Sequence, residues 1–261
     1  MPGESMSTFQ ESDSAFYDVE YSVSMEYRYL SGAHGSKVMN IVDVVGDVQG
    51  LRCLDVGCGS GFFAEQLRAR GADVLGVDYS EVAVQFGKSR FPDLDLRVHS
   101  AYELESLGVD KFDVVTCLDV IEHMSEQRKL LQGILGILKP GGRVVLSTDI
   151  HGGKWEGPLL RRLVRRSMSL SADGRAYNLT KCVEARRRQF KNYHESHIGP
   201  LSYDQLVSLL ESEGFEVMSY RVYPLVGVPV RDIFLRLWPT EYRGDNQCVG
   251  ARKLVAIETV A

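Results

Sequence analysis

The chain has 261 residues, 44% of them hydrophobic and 25% charged, and a formal net charge of −5. That is the balance of a soluble globular protein able to bury a core, and the negative charge argues against a protein-wide nucleic-acid footprint while leaving room for local basic patches. Cysteines stand at 53, 58, 117, 182 and 248, an odd number without a C-x-x-C pair, and no apolar run is long enough to span a bilayer; a reducing, cytoplasmic setting is expected rather than a disulfide framework.

Residues 1–15 are polar and acidic, carry no signal-peptide pattern and read as a loose tail. Residues 16–49 hold Tyr17, Tyr21, Tyr27 and Tyr29, then a helical stretch over 36–45, and form an N-terminal cover. From about 50 to 148, strand and helix alternate. Leu51 to Val56 reads as a buried strand, and Phe62 to Arg70 as a helix. Between them runs Leu54-Asp55-Val56-Gly57-Cys58-Gly59-Ser60-Gly61. A Gly-rich strand-to-helix turn lets a ligand approach bare backbone, and the helix end behind it favours negative charge. The spacing is G-x-G-x-G, not the G-x-G-x-x-G of dinucleotide-binding turns.

Val74 to Asp78 is the second strand, with Ser80 capping a helix over Glu81 to Arg90. Leu94 to His99 is the third strand and Phe112 to Leu118 the fourth. Ser125 opens a helix whose apolar positions 130, 131, 134, 135 and 138 keep a helical period, and Pro140-Gly141-Gly142 stops it. Val144 to Leu146 is the fifth strand, before a long insertion over 149–200. Ser202-Tyr203-Asp204-Gln205 is a capping box for a helix ended by Gly214. Phe215 to Val222 and Lys253 to Thr259 supply two more strands. Strands alternating with helices imply a mostly parallel α/β sheet covered on both faces.

The run at 54–61 resembles the first motif of class I S-adenosylmethionine-dependent methyltransferases. Phe112 to Met124, with Leu118-Asp119-Val120-Ile121-Glu122-His123, resembles the fourth-strand motif of ubiquinone-pathway O-methyltransferases, and Leu138-Lys139-Pro140-Gly141-Gly142 the turn before their fifth strand. The resemblance runs over roughly 35–259 and implies a Rossmann-like, seven-stranded, mostly parallel sheet with the last strand antiparallel, in a single domain over 16–261. It also implies S-adenosylmethionine as cofactor. Asp55 would orient the glycine turn and reach the amino group of the methionine moiety, while Gly57, Cys58, Gly59 and Gly61 line the cofactor. Asp78 would accept the ribose hydroxyls, unless it only caps the helix at 80. Tyr79 would lie against the adenine, with Ser100 and Ala101 where relatives often carry an Asp and a small residue. Leu118, Asp119 and Val120 would flank the methionine portion.

Methyl transfer from a sulfonium has a good neutral leaving group, so much of its catalysis is positioning; a hydroxyl nucleophile can also need a base. His123 is the candidate base, the alternative being that Glu122 and His123 only organise their loop. Asp119, Glu122 and His123, completed by His194 or His197, also resemble the Mg²⁺ cluster of small-RNA 3′-end 2′-O-methyltransferases. His151 either faces the substrate or sits in solvent. Residues 151–200 carry 11 Lys and Arg against 4 Asp and Glu. Within them, 155–170 reads as a basic amphipathic helix that contacts a membrane surface, lids an apolar pocket, meets an anionic substrate such as RNA, or packs with its arginines in solvent. The reading is methyl transfer from S-adenosylmethionine to a small-molecule acceptor, at a hydroxyl oxygen. Its rivals are metal-assisted 2′-O-methylation of an RNA end and a cofactor-binding protein without turnover. Nucleic acid is the less expected partner, since no RNA-binding module is recognisable.

Overall fold

The computed structural model describes residues 41–149, 201–223 and 246–254. Expectations for the tail, the tyrosines of the N-terminal cover, His151, His194, His197, the basic stretch 155–170 and a strand beyond 254 lie outside these residues.

Residues 41–45 are helical and bury Ile41 and Val45. Then come β1 (Arg52–Val56), α1 (Phe62–Arg68), β2 (Asp73–Asp78), α2 (Glu81–Arg90) and β3 (Asp95–Val98). β4 (Phe112–Leu118), a short 3₁₀ turn (Ile121–His123), α3 (Gln127–Ile137) and β5 (Leu138–Asp149) follow. The described part closes with α4 (Tyr203–Ser212), β6 (Phe215–Tyr223) and β7 (Asn246–Lys253).

The seven strands form one sheet in the order β3-β2-β1-β4-β5-β7-β6. β1 to β5 are parallel, and β7 runs antiparallel between β5 and β6. Strands covered on both faces need apolar residues on both, which is why β1 and β4 read as near-continuous apolar runs. On one face Leu54, Val56, Val115 and Leu146 pack against Leu130 and Ile134 of α3 and Leu206 and Leu210 of α4. On the other, Cys53, Val114 and Val145 pack against Ile41, Val45, Phe63 and Leu67. The chain leaves β1 towards β2 on one side and returns to β4 on the other. Such a switch point opens a crevice outside the carboxyl ends of these strands.

α2 and β4 span the residues expected of them, and the Ser202 capping box is present, with Ser202 Oγ accepting from Gln205 N–H and Gln205 Oε1 accepting from Ser202 N–H. Three expectations are corrected. Ser125 is not the cap of α3: the helix starts at Gln127 and the Ser125 hydroxyl pairs with that of Tyr102. The helix ends at Ile137, before Pro140, and Leu138 already pairs with Phe112 as the first residue of β5; the pairing then jumps to Val114 with Arg143, so 139–142 bulge out of the ladder. Lys253 does not open a strand: among the described residues it closes β7 (Asn246–Lys253), and Leu254 after it is outside the strand. β7 is an inner strand of small residues, Cys248, Val249, Gly250 and Ala251, all buried. Burial on both faces removes the alternation that marks a half-exposed strand.

Candidate functional site

Val56 is the last residue of β1, and the chain must turn there to enter α1. Gly57, Gly59 and Gly61 all have positive φ (69°, 55° and 76°). Gly57 also has no room for a side chain, since a Cβ there would stand 2.2 Å from Val120 Cγ2. The turn closes on itself. The N–H groups of Gly57 and Cys58 both donate to the Val77 carbonyl, at 2.8 and 3.0 Å. Gly59 N–H donates to Asp78 Oδ2 at 2.8 Å, and Gly61 N–H to the Cys58 carbonyl at 2.9 Å.

The end of α1 is also answered from within. Asp55, 2% exposed, accepts a hydrogen bond from Ala64 N–H in the first turn of that helix. It accepts a second, at 2.6 Å, from Thr116 Oγ1 on β4, the residue opposite it in the ladder. Burial pushes its carboxyl up to about 7, and the neighbouring Asp78 charge pushes the same way; the bonds from Thr116 and Ala64 hold it down. The partial positive charge at the N-terminus of α1 favours the ionised form of Asp55. The turn therefore differs from a phosphate cradle, which needs outward-facing N–H groups. A corner lined by two carboxylates suits a ligand that brings positive charge and hydroxyl donors.

Asp78 ends β2 and is 6% exposed. Its Oδ1 accepts from Ser80 N–H at 2.9 Å, while Ser80 Oγ accepts from Ala83 N–H as the cap of α2. One carboxylate thus ties the glycine turn to the start of the next helix, so the helix-supporting role weighed from sequence is present. Each carboxylate oxygen has two lone-pair sites, so an oxygen holding one amide can still accept from a ligand hydroxyl. Tyr79, beside it, is half exposed. Beyond β3, Ser100 Oγ accepts from Tyr102 N–H at 3.2 Å and its carbonyl from Glu103 N–H, which makes a tight turn; Ala101 packs on the core. The Cys58 thiol is driven well above its ordinary range by burial, with Asp78 and Asp55 adding to the shift. It is a packing residue and not a nucleophile.

At the end of β4, Asp119 has φ 56°, the one non-glycine residue with positive φ among those described. Its N–H donates to the Ser147 carbonyl and its Oδ1 accepts from Ser147 Oγ at 2.8 Å. Strained backbone of this kind persists where its surroundings hold it, and clusters at functional sites. It sends Val120 back over Gly57, so the fourth-strand turn and the glycine turn touch. In the 3₁₀ turn that follows, Ile121 and Glu122 are buried and His123 is partly exposed, its N–H bonded to the Val120 carbonyl.

Gly57 meets Val120, Asp78 holds Gly59, and Asp55 holds the first turn of α1 and Thr116, so the turns after β1, β2 and β4 are tied together at the carboxyl ends of these strands; a Cβ at Gly61 would instead meet Leu94 and Leu96. No cluster of three His, Cys, Asp or Glu side chains among the described residues is placed to share a metal ion. His99 is spoken for, its ring meeting the Glu103 carbonyl and Ser106 Oγ. Two residues of this corner escaped the sequence reading, Thr116 and Ser147. Their signal was faint: a hydroxyl inside a strand run that is otherwise apolar.

Residues 54–146 match the family model described as a methyltransferase domain. A curated relative, the ubiquinone biosynthesis O-methyltransferase of Alkalilimnicola ehrlichii, is 38% identical over 114 residues, which are 41% of this chain and 45% of that one. The chain spans about half the length of the curated relatives it matches. Among solved structures, magnesium protoporphyrin IX methyltransferase from Synechocystis PCC 6803, with bound SAM, superposes with a TM-score of 0.53 at 16% identity, over 85% of this chain and 80% of that one. The [4+2]-cyclase SpnF superposes with a TM-score of 0.54 at 19% identity, over 85% of this chain and 81% of that one. At such identities these structures speak to the fold, which is the expected Rossmann-like one, and one fold hosts many activities.

Proposed function

We propose that the chain transfers a methyl group from S-adenosylmethionine to a hydroxyl oxygen of a small-molecule acceptor. The observation that carries this reading is the glycine turn, whose Gly57, Cys58 and Gly59 amides are taken by Val77 and Asp78 and whose following helix gives its Ala64 amide to Asp55. A pyrophosphate finds few donors there, whereas a sulfonium amino acid bearing a ribose finds two carboxylates. The match of residues 54–146 to the methyltransferase domain supports the same reading, as does the identity with ubiquinone biosynthesis O-methyltransferases.

On this reading Asp78 accepts the ribose hydroxyls, Tyr79, Ser100 and Ala101 flank the adenine, and Asp55 draws the ammonium end towards the turn. Gly57, Cys58, Gly59 and Gly61 offer backbone surface, and Leu118, Asp119 and Val120 hold the methionine chain from the β4 side. The bound cofactor supplies an electrophilic methyl group on a sulfonium with a neutral leaving group. The protein holds the acceptor oxygen in line with that methyl, and His123, partly exposed in the turn after β4, takes the hydroxyl proton. Positioning of this kind can be worth several orders of magnitude, and a placed base roughly 10²–10⁴-fold more.

The test is transfer of a labelled methyl group from S-adenosylmethionine to a panel of phenols, catechols and aliphatic alcohols, with and without a chelator, alongside a 3′-hydroxyl RNA. Labelled small-molecule product that survives the chelator is expected. Chelator-sensitive labelling of the RNA alone would overturn the acceptor and favour the metal-assisted reading. Binding without transfer to any acceptor would favour a protein without turnover.

A further inference from the structure

The first motif gives Asp55 a role but says nothing of its pairing with Thr116. Both residues are buried, they face each other across the β1–β4 ladder, and the hydroxyl donates to Oδ1 at 2.6 Å. Among the described residues the charge acting on Asp55 is negative, while the cation of Arg143 reaches Cys53, two residues back on β1. Asp78 stands at the end of β2. The thiols of Cys53, Cys58 and Cys117 are all held above their ordinary range by burial and so stay neutral. Asp119 and Glu122 act on Cys117 from beyond β4. From α1 comes only the Ala64 amide, since Glu65 faces out and pairs with Arg68. No Lys, Arg or His side chain among the described residues figures in the surroundings that act on Asp55.

We propose that Thr116 is a positioning residue of the cofactor site: its hydroxyl holds Asp55 ready to be the counter-charge of a cationic ligand, so that binding expels a proton from Asp55. The inference rests on the cofactor reading above. In the ligand-free protein the buried carboxyl carries its proton for much of the population near neutral pH, because no cation among the described residues offsets the loss of water. When a positively charged ligand arrives, the carboxylate form is favoured, and the O–H bond of Asp55 breaks with its proton leaving to solvent. The Thr116 hydroxyl bonds the carboxylate more strongly than the acid, so it lowers the pH at which this happens.

The linkage has a definite sign. A raised carboxyl pKa in the free state means that ligand affinity falls as pH drops through and below about 7, by up to tenfold per pH unit. The same shift makes the ligand-free fold less stable as pH rises through that range, since ionising Asp55 without a partner cation costs free energy.

The experiment has two arms. Carbon NMR of the Asp55 carboxyl in the ligand-free protein should show it titrating near neutrality, and in Thr116→Val higher still, by roughly one pH unit, the scale of one hydrogen bond to a charged group. Thr116→Ser should restore the wild-type titration. Calorimetry of S-adenosylmethionine binding from pH 5.5 to 7.5, in two buffers of different ionisation enthalpy, should show net proton release in the wild type. Affinity should fall towards acid, the falling limb should move to higher pH in Thr116→Val, and it should flatten in Asp55→Asn. A normal acidic titration of Asp55, or binding with no proton release and no pH dependence, overturns the proposal. Failure of the wild type to bind at any pH, with Asp55 titrating near neutrality, overturns the cofactor reading and with it the coupling, leaving only the perturbed carboxyl.

Discussion

The turns that leave β1 and β4 stand side by side and solve the same problem differently. Both need backbone with positive φ at a strand end. After β1 the residue is Gly57, and the space where its side chain would stand is filled by Val120. After β4 it is Asp119, which accepts the strain and uses its carboxylate to grip Ser147 on β5. The difference shows what each turn is for. The first is stripped so that the neighbouring turn can approach the main chain. The second keeps a side chain because its shape must be locked from across the sheet, and its locked shape is what places Val120.

The sharpest way to break this comparison is Gly57→Ala. A left-handed Ala costs roughly 1–2 kcal/mol and the clash with Val120 a further ~1–3 kcal/mol. Thermal melting should fall by several degrees and S-adenosylmethionine binding should be lost. Adding Val120→Ala should return part of the stability; if the double variant is no better than the single one, the clash is not the reason for the glycine.

Asp78→Ala comes next. It strands the buried amides of Gly59 and Ser80, at roughly 1–3 kcal/mol each, and removes the proposed ribose acceptor. Calorimetry should show at least a hundredfold loss of cofactor affinity in the fraction that remains folded. Unchanged affinity would leave Asp78 as support for the turn and α2 alone.

His123→Ala should act on turnover and spare the architecture: a fall of about 10²-fold in kcat with cofactor affinity nearly unchanged. Wild-type turnover on a competent acceptor would remove His123 from the proton path. The smallest effect is expected of Asp119→Gly, where relief of the left-handed strain, of order 1–3 kcal/mol, offsets the lost bond to Ser147. Stability should change little, while cofactor affinity drops because Val120 is no longer pinned. A large gain in stability with full affinity would mean that the strain serves no purpose at this site.

Much of this corner can be read from the residues themselves. Glycines at 57, 59 and 61 announce a bend that other residues resist, and an acid at each neighbouring strand end announces polar work in an apolar rim. The runs at 81–90 and 112–118 delimit their own elements, because a cap stands before the first and both faces of the second are apolar. β7 was not legible, because Cys248, Val249, Gly250 and Ala251 sit between two strands with no exposed face to set a period. Thr116 and Ser147 were missed for a related reason. Each acts through its partner in the folded sheet, Asp55 by ladder register and Asp119 by a turn, and neither pairing leaves a mark on local spacing. Pro140-Gly141-Gly142 marked a break in the chain correctly but not its kind, since those residues bulge from β5 after the helix has already ended.

The central claim is that the crevice between β1 and β4 accepts a cationic, phosphate-free adenosyl ligand. Calorimetric titration of the intact chain with S-adenosylmethionine, S-adenosylhomocysteine and NAD⁺, repeated with Asp78→Ala, tests it most directly. The account predicts saturable one-to-one binding of the first two, its loss in the variant, and no binding of NAD⁺. Tight binding of NAD⁺ with none of S-adenosylmethionine would contradict it.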